Sequence, residues 1–302
     1  MIDLSGAYLP VTTPFDPVTG DVDIVAFRAN LRHWFQHDLA GILIAGSTGE
    51  SVFLDDAEGR SLQEAANDVL PADAKVIMGA AAESTRHTIK KVKAAADAGA
   101  DAVLVKPPVY FKGAMTPEAL LAHYRAVADA SPVPVLIYQV PLRLSTLEFP
   151  TGLVAELSRH DNIVGIKDSR GSLDKLGELV EAVSTGFQVL VGSGALFYPA
   201  LEVGAVGGIT ALGLMAPAEM AAIDRAWKDG RTADAGRIQE RIAPVHDGIV
   251  GGIGVPGIKV ALDMLGLHGG PTRPPLLPLP EARHDEVRGL LDGAGLLEAA
   301  RT

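Results

Sequence analysis

The first 229 residues alternate short apolar runs with longer segments of helical periodicity. The apolar runs are rich in Val, Ile and Leu, as in strands buried on both faces of a parallel sheet. The predicted strands are 7–12, 41–45, 75–79, 102–105, 133–138, 163–167, 188–191 and 207–210. The predicted helices are near 24–37, 55–69, 85–98, 116–130, 150–159, 172–184, 195–203 and 215–229. Eight strand–helix units predict an α/β fold, a (β/α)8 TIM barrel, which typically takes ~250 residues.

A doubly wound sheet is the alternative arrangement of alternating strands and helices. It needs a glycine turn of the nucleotide-binding type directly after an early strand. The one string that matches this fingerprint, residues 252–257, lies late in the chain and follows a helical segment. The pattern therefore favours the barrel.

The alternation stops after Gly230. Residues 232–249, 256–266 and 281–294 have helical patterns, separated by the glycine-rich stretch 248–254 and the proline-rich stretch 269–280. We therefore predict a catalytic barrel over residues 1–229 and a small helical appendage over residues 230–302.

Composition narrows the class of partner. The chain of 302 residues has a net charge of −11 without a dense basic stripe, which is unlike a nucleic-acid-binding protein. The absence of cysteine excludes disulfides, thiolate catalysis and Cys-ligated metals, and it fits a reducing compartment. No secretory signal is visible at the N-terminus, and the longest uncharged stretch, 203–218, is too short for a membrane span. We expect a cytoplasmic protein without nucleic-acid or membrane partners.

Three predicted strands end in residues that can carry chemistry. Lys167 ends the sixth strand, where partial desolvation lowers the pKa of an amine and makes it a nucleophile. Tyr138 ends the fifth strand, a suitable place for a general acid or base. The turn after the second strand carries Ser47 and Thr48, and its backbone N–H groups form a natural carboxylate nest. These strand ends share one mouth in a barrel, so the three groups are expected to converge.

Each of these residues also has an ordinary structural interpretation. A strand-end lysine can extend to solvent, a tyrosine can lie at the rim of a core, and hydroxyls can cap a turn. A metal site is not expected, because His33 and His37 have the i, i+4 spacing of zinc ligands but lack a third ligand.

Three motifs carry a resemblance to a known family. Gly46-Ser47-Thr48-Gly49-Glu50, Tyr138-Gln139-Val140-Pro141 and Gly165-Ile166-Lys167-Asp168 resemble, in order and spacing, the hallmarks of the dihydrodipicolinate synthase / N-acetylneuraminate lyase family. The similarity runs from about residue 6 to residue 279. It implies a barrel with a C-terminal helical domain that forms a Schiff base with pyruvate or another 2-oxo acid. It also implies a lyase without a cofactor, assembled as a homotetramer from tight dimers.

The resemblance also implies roles for individual residues. Lys167 matches the Schiff-base lysine and Tyr138 the proton shuttle. Ser47, Thr48 and Gly49 match the turn that binds the pyruvate carboxylate, and Gly192 and Ile209 match residues that line the pyruvate pocket. Arg143 matches the arginine that binds the acceptor. Tyr110 matches the tyrosine that in the family reaches across the dimer interface.

The choice of aldehyde acceptor stays open at this point. Ser47 replaces the first of two threonines found in many synthases, and Leu144-Ser145-Thr146 departs from their continuation after the arginine. Residues 110–113, 167–169, 255–259 and 269–271 are closer to 4-hydroxy-2-oxoglutarate aldolases. The acceptor is therefore expected to be glyoxylate or, as in dihydrodipicolinate synthase, aspartate semialdehyde. The alternatives are N-acetylneuraminate lyase, another 2-keto-3-deoxy sugar acid aldolase or dehydratase, or a non-catalytic 2-oxo-acid-binding regulator.

Overall fold

A computed structural model describes residues 2–299. Eight parallel strands close into a barrel in the order β1 to β8, which confirms the predicted (β/α)8 fold. The strand bounds lie close to those predicted from the apolar runs. The strands are β1 Gly6–Pro10, β2 Gly41–Ile44, β3 Lys75–Gly79, β4 Ala102–Val105, β5 Val135–Gln139, β6 Ile163–Asp168, β7 Gln188–Val191 and β8 Gly207–Ile209.

A helix follows each strand, as the sequence predicted. Side-chain caps define several helix starts: Asp55 and Glu58 form a reciprocal capping box, and Thr116 caps a helix that begins with Pro117. Gly99 takes a positive φ of 92° just after the third helix, where a residue with a Cβ would be strained. The helices are α1 Ile24–Trp34, α2 Asp56–Asn67, α3 Thr85–Asp97, α4 Pro117–Ala130, α5 Thr151–Leu157, α6 Leu173–Ala182, α7 Phe197–Glu202 and α8 Pro217–Lys228.

The barrel contains two apolar layers. The larger layer lies between the strands and the surrounding helices. The smaller one fills the inside of the barrel with side chains such as Leu43, Leu136 and Leu190. Tyr138 and Ile209 belong to this inner layer, so both point into the barrel and not toward the helices.

Further helices follow the barrel within the described residues. They are α9 Thr232–Val245, which continues as the π-helical segment His246–Ile253, then α10 Val255–Met264, α11 His284–Gly293 and α12 Leu296–Ala299. No helix within residues 2–299 is long and apolar enough to cross a membrane. The division into two domains near residue 230 stays a prediction.

The glycine-rich stretch 248–254 was wrongly predicted to separate two helices. Most of it lies within the π-helical segment, and only Gly254, with a φ of 90°, ends that segment. The glycines serve close packing here, because a Cβ on Gly248 would lie 2.4 Å from Leu290 Cδ1. Glycine content alone did not reveal that role.

Candidate active site

A cavity of about 770 Å³ opens at the C-terminal ends of the strands. Loops after these strands and the π-helical segment form its wall. Most of the residues predicted to act together line this cavity: Ser47, Thr48, Tyr138, Arg143, Lys167, Gly192 and Ile209. Gly49 and Tyr110 do not line it. Within residues 2–299, no group of three or more potential metal-ligating side chains is placed to hold a metal ion.

Lys167 is fixed within the wall of the barrel. It lies on β6 directly opposite Tyr138 of β5 in the strand register, and only 5% of it is exposed. Its Nζ lies 4.8 Å from the centre of the Tyr138 ring. Desolvation by burial lowers the pKa of this amine from 10.5 to about 7. A large fraction is therefore neutral and nucleophilic at neutral pH.

The Tyr138 hydroxyl is in contact with other hydroxyl groups. Its oxygen lies 3.4 Å from Ser47 Oγ. Burial raises the pKa of the Tyr138 phenol, and hydrogen bonds to Ser47 and Ser169 act in the opposite direction. A phenol that stays protonated and touches other hydroxyls can donate and recover a proton during a reaction.

Sequence reasoning did not identify Ser169 as a site residue. It follows Lys167 by two positions and lines the cavity, but the Lys-Asp-Ser string was interpreted only as a subfamily feature. Ser169 also explains Gly192, because a Cβ on Gly192 would lie 1.8 Å from Ser169 Oγ. Only glycine at position 192 leaves room for that hydroxyl beside Tyr138.

The hydroxyl turn, Gly46–Glu50, has the geometry of an anion nest. Gly49 N–H donates to the Gly46 carbonyl and Glu50 N–H to the Ser47 carbonyl. The N–H groups of Ser47 and Thr48 have no hydrogen-bond partner in the described part of the chain. Two free N–H groups and two hydroxyls on this cavity-lining turn can therefore bind a carboxylate.

Gly49 supports this turn from below the cavity surface. Its carbonyl accepts a 2.7 Å hydrogen bond from Thr13 Oγ1. A Cβ at this position would lie 2.8 Å from the carbonyl oxygen of Val11, so a larger residue would push the turn away from the segment that follows β1. The structure thus gives Gly49 a packing contact with the segment after β1.

Arg143 lies at the rim of the cavity, on the exposed loop after β5. Its Nη2 donates a 2.9 Å hydrogen bond to the carbonyl of Val250 in the π-helical segment. Arg143 therefore ties the rim loop to the C-terminal helices and keeps a guanidinium at the cavity entrance.

His246 was not anticipated from the sequence, although it lines the cavity. Its Nδ1 accepts a hydrogen bond from the Gly194 N–H, and its Nε2 lies 3.2 Å from Ser193 Oγ. Burial lowers its pKa to about 4, so the ring is neutral near pH 7. Because Nδ1 accepts, Nε2 carries the proton and donates to Ser193.

Tyr110 lies outside the cavity. It is 80% exposed, and its ring packs edge-to-face against Phe111 with 5.1 Å between centroids. Glu83 anchors the loop, because its carboxylate accepts hydrogen bonds from the N–H groups of Val109 and Tyr110 and from Lys106 Nζ. Glu83 lies just before α3 and orders the Tyr110 loop.

Known proteins are similar to this chain over almost all of its length. The model of the dihydrodipicolinate synthetase family matches residues 3–294. The chain belongs to this family. A 4-hydroxy-tetrahydrodipicolinate synthase from Gluconacetobacter diazotrophicus is 34% identical over 293 residues, which cover 97% of each chain.

Solved structures of family members superpose closely. The dihydrodipicolinate synthase of Bacillus anthracis has a TM-score of 0.90 at 30% identity, covering 97% of this chain and 99% of that one. A prophage protein of the family from E. coli, solved in complex with pyruvate, has a TM-score of 0.91 at 27% identity. That match covers 98% of this chain and 100% of the other.

Membership in the family establishes the class of chemistry. The protein is a class I lyase of the pyruvate-dependent aldolase type, which works through a lysine Schiff base and uses pyruvate with an aldehyde. The family resemblance found in the three sequence motifs is thereby confirmed.

Proposed function

We propose that the protein condenses pyruvate with aspartate semialdehyde, as a 4-hydroxy-tetrahydrodipicolinate synthase, and that Lys167 forms the imine. One observation carries the proposal: a buried amine with a pKa of about 7 lies against Tyr138, in the cavity that the hydroxyl turn also lines. The names of the curated relatives support the choice of reaction.

Pyruvate binds with its carboxylate on the free N–H groups and hydroxyls of Ser47 and Thr48. The neutral Lys167 amine attacks the ketone, water leaves, and an iminium forms that acts as an electron sink. Loss of a methyl proton gives the enamine, whose carbon then attacks the aldehyde. Tyr138 moves protons in these steps, with Ser47 as its hydroxyl partner at 3.4 Å.

The acceptor carries a carboxylate in this proposal. Arg143 supplies the guanidinium at the cavity rim, and a planar fork of N–H donors suits a carboxylate. Glyoxylate, the acceptor in a 4-hydroxy-2-oxoglutarate aldolase, is the second candidate. It is favoured by the residues near 255–259 and 269–271 that resemble those aldolases.

The active form is proposed to be a dimer, assembled further into a tetramer. Tyr110 and Phe111 are each more than 70% exposed and pack edge-to-face on each other, and such an exposed pair of large side chains favours a protein interface. A partner subunit on this face would receive the Tyr110 hydroxyl. The cysteine-free composition supports placing the assembly in the cytoplasm.

Trapping of the imine tests the assignment of Lys167. The protein is incubated with pyruvate, reduced with borohydride and mapped by mass spectrometry, with Lys167→Ala as the matched control. We expect one adduct at Lys167 in the wild type and none in the variant. An adduct at another cavity lysine, such as Lys106, or an unmodified wild type would refute the proposed role.

A substrate panel tests the acceptor. Aspartate semialdehyde, glyoxylate, N-acetylneuraminate and 2-keto-3-deoxy sugar acids are assayed for consumption or release of pyruvate. We expect the highest kcat/KM with aspartate semialdehyde. A higher value with glyoxylate would select the second candidate, and binding of pyruvate without any turnover would indicate a regulator.

A further inference from the structure

A second lysine, Lys259, is buried in the contact between helix α10 and the barrel. It is 1% exposed. Its Nζ lies 2.7 Å from Glu50 Oε1 and donates hydrogen bonds to the carbonyls of Thr13, at 2.8 Å, and Pro271, at 2.6 Å. Three oxygens, one of them on a carboxylate, thus surround this ammonium at 2.6 to 2.8 Å.

This ammonium holds the hydroxyl turn at two points. Glu50 ends the turn, and its N–H donates to the Ser47 carbonyl. Thr13, whose carbonyl binds Lys259, donates its own hydroxyl to the Gly49 carbonyl. Any movement of Lys259 would therefore reach the turn through Glu50 and through Thr13.

The turn needs such support because its backbone is strained. Glu50 has a φ of 57° and Ala45, just before the turn, a φ of 51°, in the left-handed region that residues with a Cβ seldom adopt. Such residues persist only where the surroundings hold them. Glu50 is held on its other oxygen as well, since Oε2 accepts a 2.9 Å hydrogen bond from the Arg273 N–H.

A buried ion pair is a poor way to add stability. Desolvation of two charges offsets most of their attraction, and apolar residues of similar volume stabilise a protein as well or better. The charges of Lys259 and Glu50 instead provide directional contacts that fix the position of the hydroxyl turn. The turn has little tolerance for movement, because the Ser47–Tyr138 contact at 3.4 Å is already at the long end of a hydrogen bond.

We propose that Lys259 is a positioning residue for catalysis: its buried ion pair with Glu50 fixes the hydroxyl turn so that Ser47 meets Tyr138 and the free N–H groups face pyruvate. The inference rests on the proposed function, in which that turn binds the pyruvate carboxylate. Helix α10 of the C-terminal segment, which carries Lys259, then contributes to the geometry of the active site.

A neighbouring ion pair provides a matched control. Arg273 pairs with Glu58 and packs on the ring of Phe15, the same ring that Lys259 Nζ faces from 4.5 Å. The Arg273 guanidinium also donates to the carbonyls of Phe53 and Gly20. Within residues 2–299 its side chain makes no hydrogen bond to the hydroxyl turn, and its backbone N–H, which donates to Glu50, is kept in an Arg273→Met variant.

The experiment compares three full-length variants with the wild type. Lys259→Met/Glu50→Gln removes both charges at nearly constant volume, so no charge is left buried alone. Glu50→Asp keeps the charges and shortens the arm. Arg273→Met/Glu58→Gln removes the control pair. Each is measured for melting temperature, for KM and kcat with pyruvate, and for the rate of borohydride trapping at Lys167.

We expect the Lys259→Met/Glu50→Gln variant to lose about 10- to 100-fold in kcat/KM for pyruvate, mainly through KM, since a displacement of ~1 Å has effects of this size. Glu50→Asp should show a smaller rise in KM at a nearly unchanged melting temperature. The Arg273 control should lower the melting temperature and leave KM unchanged. Equal kinetic losses in the Lys259 and Arg273 pairs would overturn the inference, because docking of the segment alone would then explain them.

Crystal structures separate this inference from the proposed function. In the Lys259→Met/Glu50→Gln variant the distance from Ser47 Oγ to the Tyr138 oxygen must lengthen, while in the Arg273 control it must not. An unchanged distance overturns the positioning role whatever the activity. A wild type that forms no adduct with pyruvate refutes the proposed function and leaves this structural comparison to decide whether Lys259 holds the turn.

Discussion

Two kinds of segment meet at the mouth of this barrel and hold their side chains differently. Lys167 and Tyr138 are buried on adjacent strands whose residues are paired in register. Tyr110 and Arg143 lie on exposed loops, outside the paired strands. The Tyr110 N–H donates to the Glu83 carboxylate, and the Arg143 guanidinium donates to the Val250 carbonyl.

The difference suggests a division of labour. Imine chemistry needs a desolvated amine and fixed distances, which buried strands supply. Recognition of an acceptor, or contact with another subunit, can change with loop sequence without disturbing the barrel. Substitutions on the strands should therefore affect the chemical step, and substitutions on the loops should affect partner and substrate choice.

The largest effect is expected from Tyr138→Phe. Loss of the hydroxyl should lower kcat by about 10²–10⁴, the usual contribution of one positioned acid or base. Borohydride trapping at Lys167 should still give an adduct. The matched control is Tyr124→Phe, another buried tyrosine, whose hydroxyl bonds the Val105 carbonyl outside the cavity. Full activity of Tyr138→Phe would show that protons take another route.

The pH dependence of kcat/KM for pyruvate tests how far burial on these strands desolvates Lys167. Desolvation lowers the pKa of Lys167 to about 7, so the reactive neutral amine forms as pH rises through 7 and is lost as pH falls. At two pH units below that value only about 1% of the Lys167 amine is neutral. The kcat/KM for pyruvate should therefore be about 100-fold lower there than at a pH well above the pKa. Stopped-flow imine formation measures this. A midpoint near 10, the ordinary value for lysine, would show that the amine is solvated.

Much of this site could be predicted from local sequence. The barrel follows from the alternation of apolar and helical patterns, and strand ends in a barrel face one mouth. Lys167, Tyr138 and the hydroxyl turn could therefore be predicted from the sequence alone to lie together. Their positions depend on the strands that carry them, which the sequence marks well.

The supporting contacts could not be predicted, because they join residues far apart in the chain. Nothing near Glu50 in sequence indicates that Lys259 of α10 pairs with it. The role of Glu83 could not be predicted for the same reason, since its hydrogen-bond partners belong to the loop after β4. The π-helical segment was taken for a break because its glycines are explained only by helices packed against them.

Tyr110 lies on a loop, and its substitution should lower kcat less than that of Tyr138. We expect the effect to arise in the active site of the partner subunit. Tyr110→Phe should lower kcat about 10- to 100-fold, below the effect at Tyr138, because we expect its hydroxyl to exchange protons with Ser47 of the partner subunit and not with substrate. The test mixes Tyr110→Phe and Lys167→Ala subunits after reversible dissociation. If Tyr110 acts in the partner's site, each hybrid dimer has one site with neither change, and activity should exceed that of both parents.

Each variant dissociated and reassociated alone serves as the control in that experiment. If Tyr110→Phe is impaired and confirmed heterodimers regain no activity, Tyr110 acts within its own subunit. An unimpaired Tyr110→Phe variant would instead make Tyr110 and Phe111 apolar interface residues only.

The smallest effect is expected from Arg143, which should distinguish between acceptors. Arg143→Ala should raise KM for a carboxylated aldehyde about 10-fold, since a hydrogen bond to a charged group contributes ~1.5–3 kcal/mol and solvent at the rim weakens it. Arg143→Lys keeps the charge but lacks the planar fork of donors, so its KM should lie between those of the wild type and Arg143→Ala. Trapping of pyruvate at Lys167 should not change, and neither should KM for an uncharged aldehyde such as propanal. Equal losses with charged and uncharged aldehydes would mean that Arg143 acts mainly through Val250, as a brace for the π-helical segment.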